Sequence, residues 1–101
     1  MKILSIDIET FSDIDLGKCG VYRYTDSPNF DILLFAYSID EGPVQLIDLA
    51  SGEEIPEEIV EAILSEDIIK TAFNANFERV ALMRYLSRKL DKEVYLNPSS
   101  W

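Results

Sequence analysis

Apolar and polar positions alternate along the first part of the chain, from Lys2 to Glu9. An alternation with a period of two predicts a β-strand that buries one face. The other face becomes acidic toward its end, where Asp7 and Glu9 occupy positions i and i+2. Because side chains two apart on a strand point to the same face, we expect these two carboxylates to lie side by side.

The pattern loses its regularity from Phe11 to Phe30, around two glycines and a Ser-Pro pair, and this predicts a long irregular connection. A continuous apolar run follows from Ile32 to Ile39, and a second one runs from Val44 to Asp48. The turn-forming residues Asp40 to Pro43 separate these runs. We therefore predict two antiparallel strands joined as a hairpin.

Two helices and one more strand are predicted in the second half of the chain. Pro56, followed by two glutamates, predicts the start of a short amphipathic helix. Its apolar stripe contains Ile59, Val60, Ile63 and Leu64. Asp67 to Asn74 predicts a fourth strand, and a second helix is expected from about Asn76 to Leu90. On that helix, Arg84 and Arg88 lie opposite the apolar stripe, and we expect both to be solvated.

This order of elements predicts an α/β fold. Three strands followed by a helix, a strand and a helix favour a mixed sheet, an antiparallel three-strand meander plus a parallel strand, with packed helices. The tail from Val94 to Trp101 shows no closing element, so we expect a domain that is truncated before its last elements. A length of 101 residues allows one domain at most.

The composition of the chain excludes several kinds of binding and catalytic site. Nine basic and 19 acidic residues give a net charge of -10, which excludes nucleic-acid binding by a general basic field. The chain has no histidine, so histidine-based triads, general bases and metal sites are excluded within it. The single cysteine, Cys19, cannot form an internal disulfide, and no segment predicts a signal peptide or membrane helix. We expect a cytoplasmic protein without a membrane partner.

Two acidic elements are candidates for a site, and each also has a purely local explanation. Asp7 and Glu9 are compatible with the solvated face of an antiparallel strand. At the junction from Asn74 to Glu78, Asn76 would cap the second helix, Glu78 would complement its dipole, and Phe77 would pack. Taken together, however, the elements place three carboxylates at the ends of two strands.

The combined pattern resembles the 3′–5′ exonucleases of the DEDD group, which have a ribonuclease H-like fold. Their first motif, Asp-x-Glu on the first strand, is matched by Asp7 and Glu9. Their second motif, Asn-x-x-Phe/Tyr-Asp at a later strand-to-helix junction, is matched by Asn74 and Phe77. Glu78 stands where that motif has aspartate, so its carboxylate lies about 1.5 Å farther out.

More closely, the whole chain is similar to the N-terminal exonuclease region of phage-type family A DNA polymerases. The similar segments are Gly20 to Tyr24 with Pro28, Ile32 to Tyr37, and Ala72 to Arg79. The resemblance implies that residues 1–101 are an incomplete 3′–5′ exonuclease domain of a parent polymerase. The parent would hydrolyse the 3′-terminal phosphodiester of DNA with two metal ions, Mg²⁺ or Mn²⁺. The third family motif, an aspartate preceded by tyrosine or histidine, is absent, so we expect this chain alone to be inactive.

The resemblance also implies roles for individual residues. The catalytic metal ligands would be Asp7, Glu9 and Glu78. The contacts to substrate would be Thr10, Phe11, Asn74 and Phe77. The implied partners are a single-stranded DNA 3′ end and a polymerase domain in the same polypeptide. An unpaired sheet edge is also expected to favour self-association of this chain.

Two alternatives from other functional classes remain open. The acidic surface also suits a protein-interaction module, including a DNA mimic that occupies a basic protein surface. A nuclease-like scaffold that has lost catalysis is a further alternative, because Glu78 departs from the motif. Convergence of Asp7, Glu9 and Glu78 would favour the nuclease, whereas carboxylates spread over the surface would favour the mimic.

Overall fold

The computed structural model describes the whole chain, Met1–Trp101, and its centre is a four-stranded mixed sheet. The strands are β1 (Ile3–Phe11), β2 (Asp31–Ile39), β3 (Gln45–Asp48) and β4 (Ile69–Thr71), in the order β3-β2-β1-β4. β1 pairs antiparallel with β2 and parallel with β4, and β2 pairs antiparallel with β3. The predicted α/β fold, with a three-strand meander plus a parallel strand, is confirmed at this level.

Three α-helices accompany the sheet: α1 (Leu16–Asp26), α2 (Glu57–Leu64) and α3 (Ala75–Leu90). Short 3₁₀ turns lie at Leu49–Ser51 and Pro98–Ser100. None of the helices combines the length and the apolar character needed to cross a membrane.

The apolar side of β1 forms the centre of the core. Its Leu4, Ile6 and Ile8 lie opposite Ile39, Tyr37 and Phe35 of β2, in that order. The same core contains buried residues of α2 and α3, namely Ile59, Ala62, Ile63, Ala81, Leu82 and Leu86. Because strand side chains alternate, Asp7 and Glu9 lie on the opposite face of the sheet from this core.

The prediction of an irregular connection between Phe11 and Phe30 was wrong, because this segment contains α1. The side chain of Asp15 caps the helix by accepting a hydrogen bond from the Lys18 N–H at 3.2 Å. The helix is kinked at Gly20, whose φ of 80° and ψ of 169° are not helical. Thr25 is its only buried residue. A kinked helix that buries so little has no regular apolar stripe in its sequence.

Arg88 is exposed, as predicted, but its guanidinium is also bonded to the backbone. Its guanidinium donates hydrogen bonds to the backbone carbonyls of Ser27 at 2.8 Å and Phe30 at 3.1 Å, and it lies 5.9 Å from the centre of the Phe30 ring. It therefore fixes the connection between α1 and β2 onto α3. Arg84 is partly exposed and pairs with Asp26 of α1 at 2.7 Å.

β4 buries a lysine and exposes its neighbouring apolar residues. Lys70 is 1% exposed, whereas Ile69 is 54% exposed and Phe73 is fully exposed. The Lys70 ammonium donates to the Ser65 carbonyl and lies 5.8 Å from the centre of the Trp101 ring. Burial lowers the pKa of Lys70, and the nearby Glu66 carboxylate acts in the opposite direction.

The last eight residues do contribute to the core, although no closing element was predicted there. Val94 and Leu96 are buried, and Trp101 packs partly buried against the same cluster. Arg79 is almost fully buried and donates to the Leu96 carbonyl at 2.9 Å, which links this segment to α3.

Candidate active site

The acidic end of β1 lies where the sheet is incomplete. β4 pairs with β1 only from Ile3 to Ser5, so Asp7 and Glu9 have a neighbouring strand on the β2 side alone. Both acids are exposed. The pairing register between β1 and β2 shifts at Glu9 and Thr10, which is typical of a β-bulge. These features leave room beside the two carboxylates for another group.

Glu78 lies in the first turn of α3 and is the most unusual acid in the chain. It is only 6% exposed, and its Oε2 atom is buried without a hydrogen-bond partner. Burial raises the pKa of the Glu78 carboxyl, the backbone N–H groups of Glu78 and Asn74 lower it, and the nearby Asp7 carboxylate raises it. The Asp7 carboxylate is the smallest of these influences on the Glu78 pKa.

The local explanation for the junction, in which Asn76 caps α3, was wrong. α3 begins at Ala75, and Asn74 occupies the N-cap position without forming a side-chain capping bond. The Asn76 Oδ1 instead accepts a hydrogen bond from Arg79 at 3.1 Å. The exposed side-chain amide of Asn74 is therefore not used to start the helix.

An aromatic cluster supports the end of β1 from behind. The Tyr24 hydroxyl and Thr10 Oγ1 are 2.8 Å apart, so the Thr10 hydroxyl is held in a hydrogen bond. The Tyr24 ring packs against Phe77 at 6.0 Å and against Phe30 at 5.9 Å between ring centres. Phe77 is half-buried in this cluster, whereas Phe11 extends into solvent just after the acids.

The structure brings only part of the predicted acid set together. No group of three or more Asp, Glu, His or Cys residues lies close enough to hold a metal ion, so Asp7, Glu9 and Glu78 do not form such a group. The Asp7 carboxylate adds to the raised pKa of Glu78, and the two residues supply carboxylate oxygens of the kind that Mg²⁺ and Mn²⁺ prefer. The unpartnered Glu78 Oε2 is the atom of the site that best suits a cation.

Sequence reasoning missed the role of Arg79, the residue after Glu78. Its guanidinium has no carboxylate partner, and its hydrogen bonds go to Asn76 and to the Leu96 carbonyl. No periodic signal marks it, because an arginine near a helix start ordinarily points to solvent. Glu78 and Arg79 thus bury opposite charges on consecutive residues without pairing with each other.

The chain is similar to a DNA polymerase of Bacillus phage SP02. The two sequences are 52% identical over all 101 residues. These residues span 15% of that protein's length. No family profile matches the chain, and no solved structure matches it. The similarity supports a polymerase-related origin for this segment.

Replacing Glu78 with glutamine is expected to stabilise the metal-free protein at neutral pH. Because burial raises the Glu78 pKa, the folded state binds this proton more tightly than the unfolded chain does. The stability from this group is fully present below the unfolded pKa, near 4.5, and is lost as the pH rises through the folded pKa. The gain in Glu78→Gln at neutral pH should be about 1–3 kcal/mol, because glutamine removes the buried charge even though its amide still lacks a partner.

The measurement is the free energy of unfolding by denaturant in the presence of EDTA, at several pH values from about the unfolded Glu78 pKa to neutrality. Glu9→Gln is the matched control, because Glu9 is exposed and should leave the pH dependence unchanged. Identical pH dependence in the wild type and Glu78→Gln would show that Glu78 is not held at a raised pKa.

Proposed function

We propose that the chain is the N-terminal part of a 3′–5′ exonuclease domain, with a ribonuclease H-like fold, that belongs to a DNA polymerase. The observation that carries this proposal is the buried carboxylate of Glu78, whose Oε2 atom has no hydrogen-bond partner, at the start of the helix that follows β4. A cation would supply the partner that this buried carboxylate lacks and would offset the effect of Asp7 on its pKa. The strand order and the similarity to the phage polymerase support the same conclusion.

In this proposal Asp7 and Glu78 hold a divalent cation, Mg²⁺ or Mn²⁺, and Glu9 adds a third carboxylate from the same face of β1. When bound, two such ions would supply an activated water and stabilise the leaving 3′-oxygen of DNA. The low exposure of Glu78 strengthens its attraction for a cation, because water screens a buried charge poorly. A cation bound by Asp7 and Glu78 would also offset the repulsion between these carboxylates, and this would add to the affinity for the cation.

The remaining residues of the site would position the DNA terminus. Phe11 offers an exposed ring on which the last base can stack. Thr10 is held by Tyr24, and Phe77 packs against the Tyr24 ring, so this wall is fixed before the substrate arrives. Asn74 presents an amide that α3 does not use for capping. Its role would be to hydrogen-bond the terminal sugar or phosphate.

We expect the 101-residue chain to show little or no nuclease activity by itself, because it lacks the aspartate motif that completes the family's acid set. Its partners would be a single-stranded DNA 3′ end and a polymerase domain in the same polypeptide. Digestion of single-stranded DNA by this chain in the presence of Mn²⁺, abolished in Glu9→Gln, would contradict the expected inactivity.

The Asp7→Asn variant tests the shared cation site. The substitution should stabilise the metal-free fold, because burial already raises the Glu78 pKa and the Asp7 charge raises it further. It should weaken Mn²⁺ binding by about ten-fold or more, since even residues that only support metal ligands have effects of this size. Titration calorimetry with Mn²⁺ measures the affinity directly.

Asp67→Asn is the control, because it makes the same chemical change at an exposed carboxylate outside the site. Mn²⁺ affinity that is equal in Asp7→Asn, Asp67→Asn and the wild type would exclude a site shared by Asp7 and Glu78.

A further inference from the structure

The acid-bearing end of β1 is poorly fixed by the sheet itself. Beyond Ser5, β1 pairs with β2 alone, and the register between these strands shifts at Glu9 and Thr10. A bulge bends its strand, so contacts from outside the sheet must fix the direction of the side chains at this end. Asp7 and Glu9 lie on this part of β1, whereas Glu78 lies on α3. The arrangement of the three acids therefore depends on what joins the end of β1 to α3.

Tyr24, near the end of α1, contacts both of these elements. Its hydroxyl and the Thr10 hydroxyl share a hydrogen bond of 2.8 Å, and its backbone carbonyl accepts a hydrogen bond from the Ser12 hydroxyl at 2.8 Å. Its ring packs against that of Phe77, with 6.0 Å between the ring centres. Thr10 directly follows the acidic pair of β1, and Phe77 directly precedes the acid of α3. Tyr24 thus contacts a neighbour of the candidate ligands on each element.

α1 is itself fastened to α3. Arg88 of α3 donates a charge-assisted hydrogen bond to the Ser27 carbonyl at 2.8 Å, and such bonds are stronger than those between neutral groups. Arg84 of α3 pairs with Asp26 of α1 at 2.7 Å, although this ion pair is partly exposed. Both contacts lie within three residues of Tyr24. The end of β1 can therefore move away from α3 only if it breaks its contacts with Tyr24 or displaces α1.

We propose that Tyr24 is a positioning residue of the candidate cation site, an inference that rests on the proposed exonuclease function. Tyr24 supplies no ligand. It acts through Thr10 and Phe77, and it sets the distance between the acids of β1 and Glu78. Side chains that are fixed before binding lose less conformational freedom when a ligand arrives, and groups that orient metal ligands raise the affinity for the metal.

Removal of one hydroxyl tests this role. Tyr24→Phe keeps the ring and its packing, and it should weaken Mn²⁺ binding to the whole chain about five-fold, a loss in the range of one hydrogen bond. Thr10→Val removes the other partner of the same bond and should weaken Mn²⁺ binding by a similar factor. Because both changes break one bond, the double variant should lose no more affinity than either single variant. Titration calorimetry with Mn²⁺, in the absence of DNA, measures the three affinities.

Two controls separate positioning from a general loss of stability. Tyr22→Phe removes the same hydroxyl from a tyrosine of α1 that is 62% exposed, and it should leave Mn²⁺ affinity unchanged. Ile63→Val removes a buried methylene from α2, a helix that carries none of the site residues. It should lower the free energy of unfolding without changing Mn²⁺ affinity.

Amide hydrogen exchange in EDTA follows the same contacts without a cation. Tyr24→Phe should speed exchange around Thr10 and Phe77 but not at the centre of β1. Unchanged exchange at both places, or losses of Mn²⁺ affinity that simply add in the double variant, would overturn the proposal. An Asp7-dependent Mn²⁺ site that is unaffected by Tyr24→Phe eliminates the positioning role alone. A wild type that binds no Mn²⁺ contradicts the cation site of the proposed function, and the positioning role is eliminated with it.

Discussion

Phe35→Ala is expected to lower the free energy of unfolding by about 3–5 kcal/mol, the usual cost of truncating a fully buried phenylalanine. Phe35 is fully buried at the centre of β2, opposite Ile8 of β1 and Ile47 of β3. Its ring packs 5.8 Å from that of Tyr37. Because neighbouring strands surround it, the structure cannot collapse easily into the cavity. The total free energy of unfolding of a domain is about 5–15 kcal/mol, so this loss is a large part of it.

Denaturant unfolding followed by circular dichroism measures this effect. Phe73→Ala is the matched control, because it removes the same side chain from a fully exposed position. We expect the control to change stability by less than about 0.5 kcal/mol. A similar loss in both variants would mean that Phe35 does not occupy the core position described here.

Arg79→Ala should destabilise the protein by about 2–4 kcal/mol, because it removes charge-assisted hydrogen bonds and leaves a buried carbonyl unpaired. The guanidinium donates to the Leu96 carbonyl at 2.9 Å and to Asn76 Oδ1 at 3.1 Å. Leu96 itself is buried, so water cannot readily replace the lost donor. The tail from Val94 to Trp101 should therefore detach more often than in the wild type.

Hydrogen exchange combined with denaturant unfolding tests this prediction. Amide protection in the tail should fall more than protection in β1 and β2. Arg84→Ala serves as the control on the same helix, because its ion pair with Asp26 is largely exposed and should contribute less than about 1 kcal/mol. Equal losses in the two variants would show that Arg79 does not hold the tail.

The sheet could be predicted from the sequence because its signals are strong and local. The alternation in β1, the continuous apolar run of β2 and the turn before β3 each specify a strand without tertiary information. The order of elements then limits the topology to a meander with one parallel strand. α1 was missed because its stability depends on the Asp15 cap and on packing against α3, and the kink at Gly20 interrupts any periodic pattern.

The long cationic side chains were the least predictable feature of the chain. A charged residue is ordinarily assigned to a solvated face, yet Lys70 and Arg79 are buried and Arg88 bonds to backbone carbonyls. Arg79 and Arg88 bond to main-chain oxygens of distant segments, and Lys70 bonds to the carbonyl of Ser65 just before its strand. None of these partners has a sequence signature. The same limit applies to the site: Asp7 and Glu78 were predicted as neighbours from a resemblance, whereas the unpartnered state of Glu78 required coordinates.

Lys70 and Trp101 give the protein a built-in optical reporter. Trp101 is the only tryptophan in the chain, and its ring lies 5.8 Å from the Lys70 ammonium, a cationic group that perturbs indole emission. Fluorescence will therefore follow docking of the final residues, whereas circular dichroism follows the sheet and helices. A difference between the two unfolding curves would measure how independently the last segment of the chain opens.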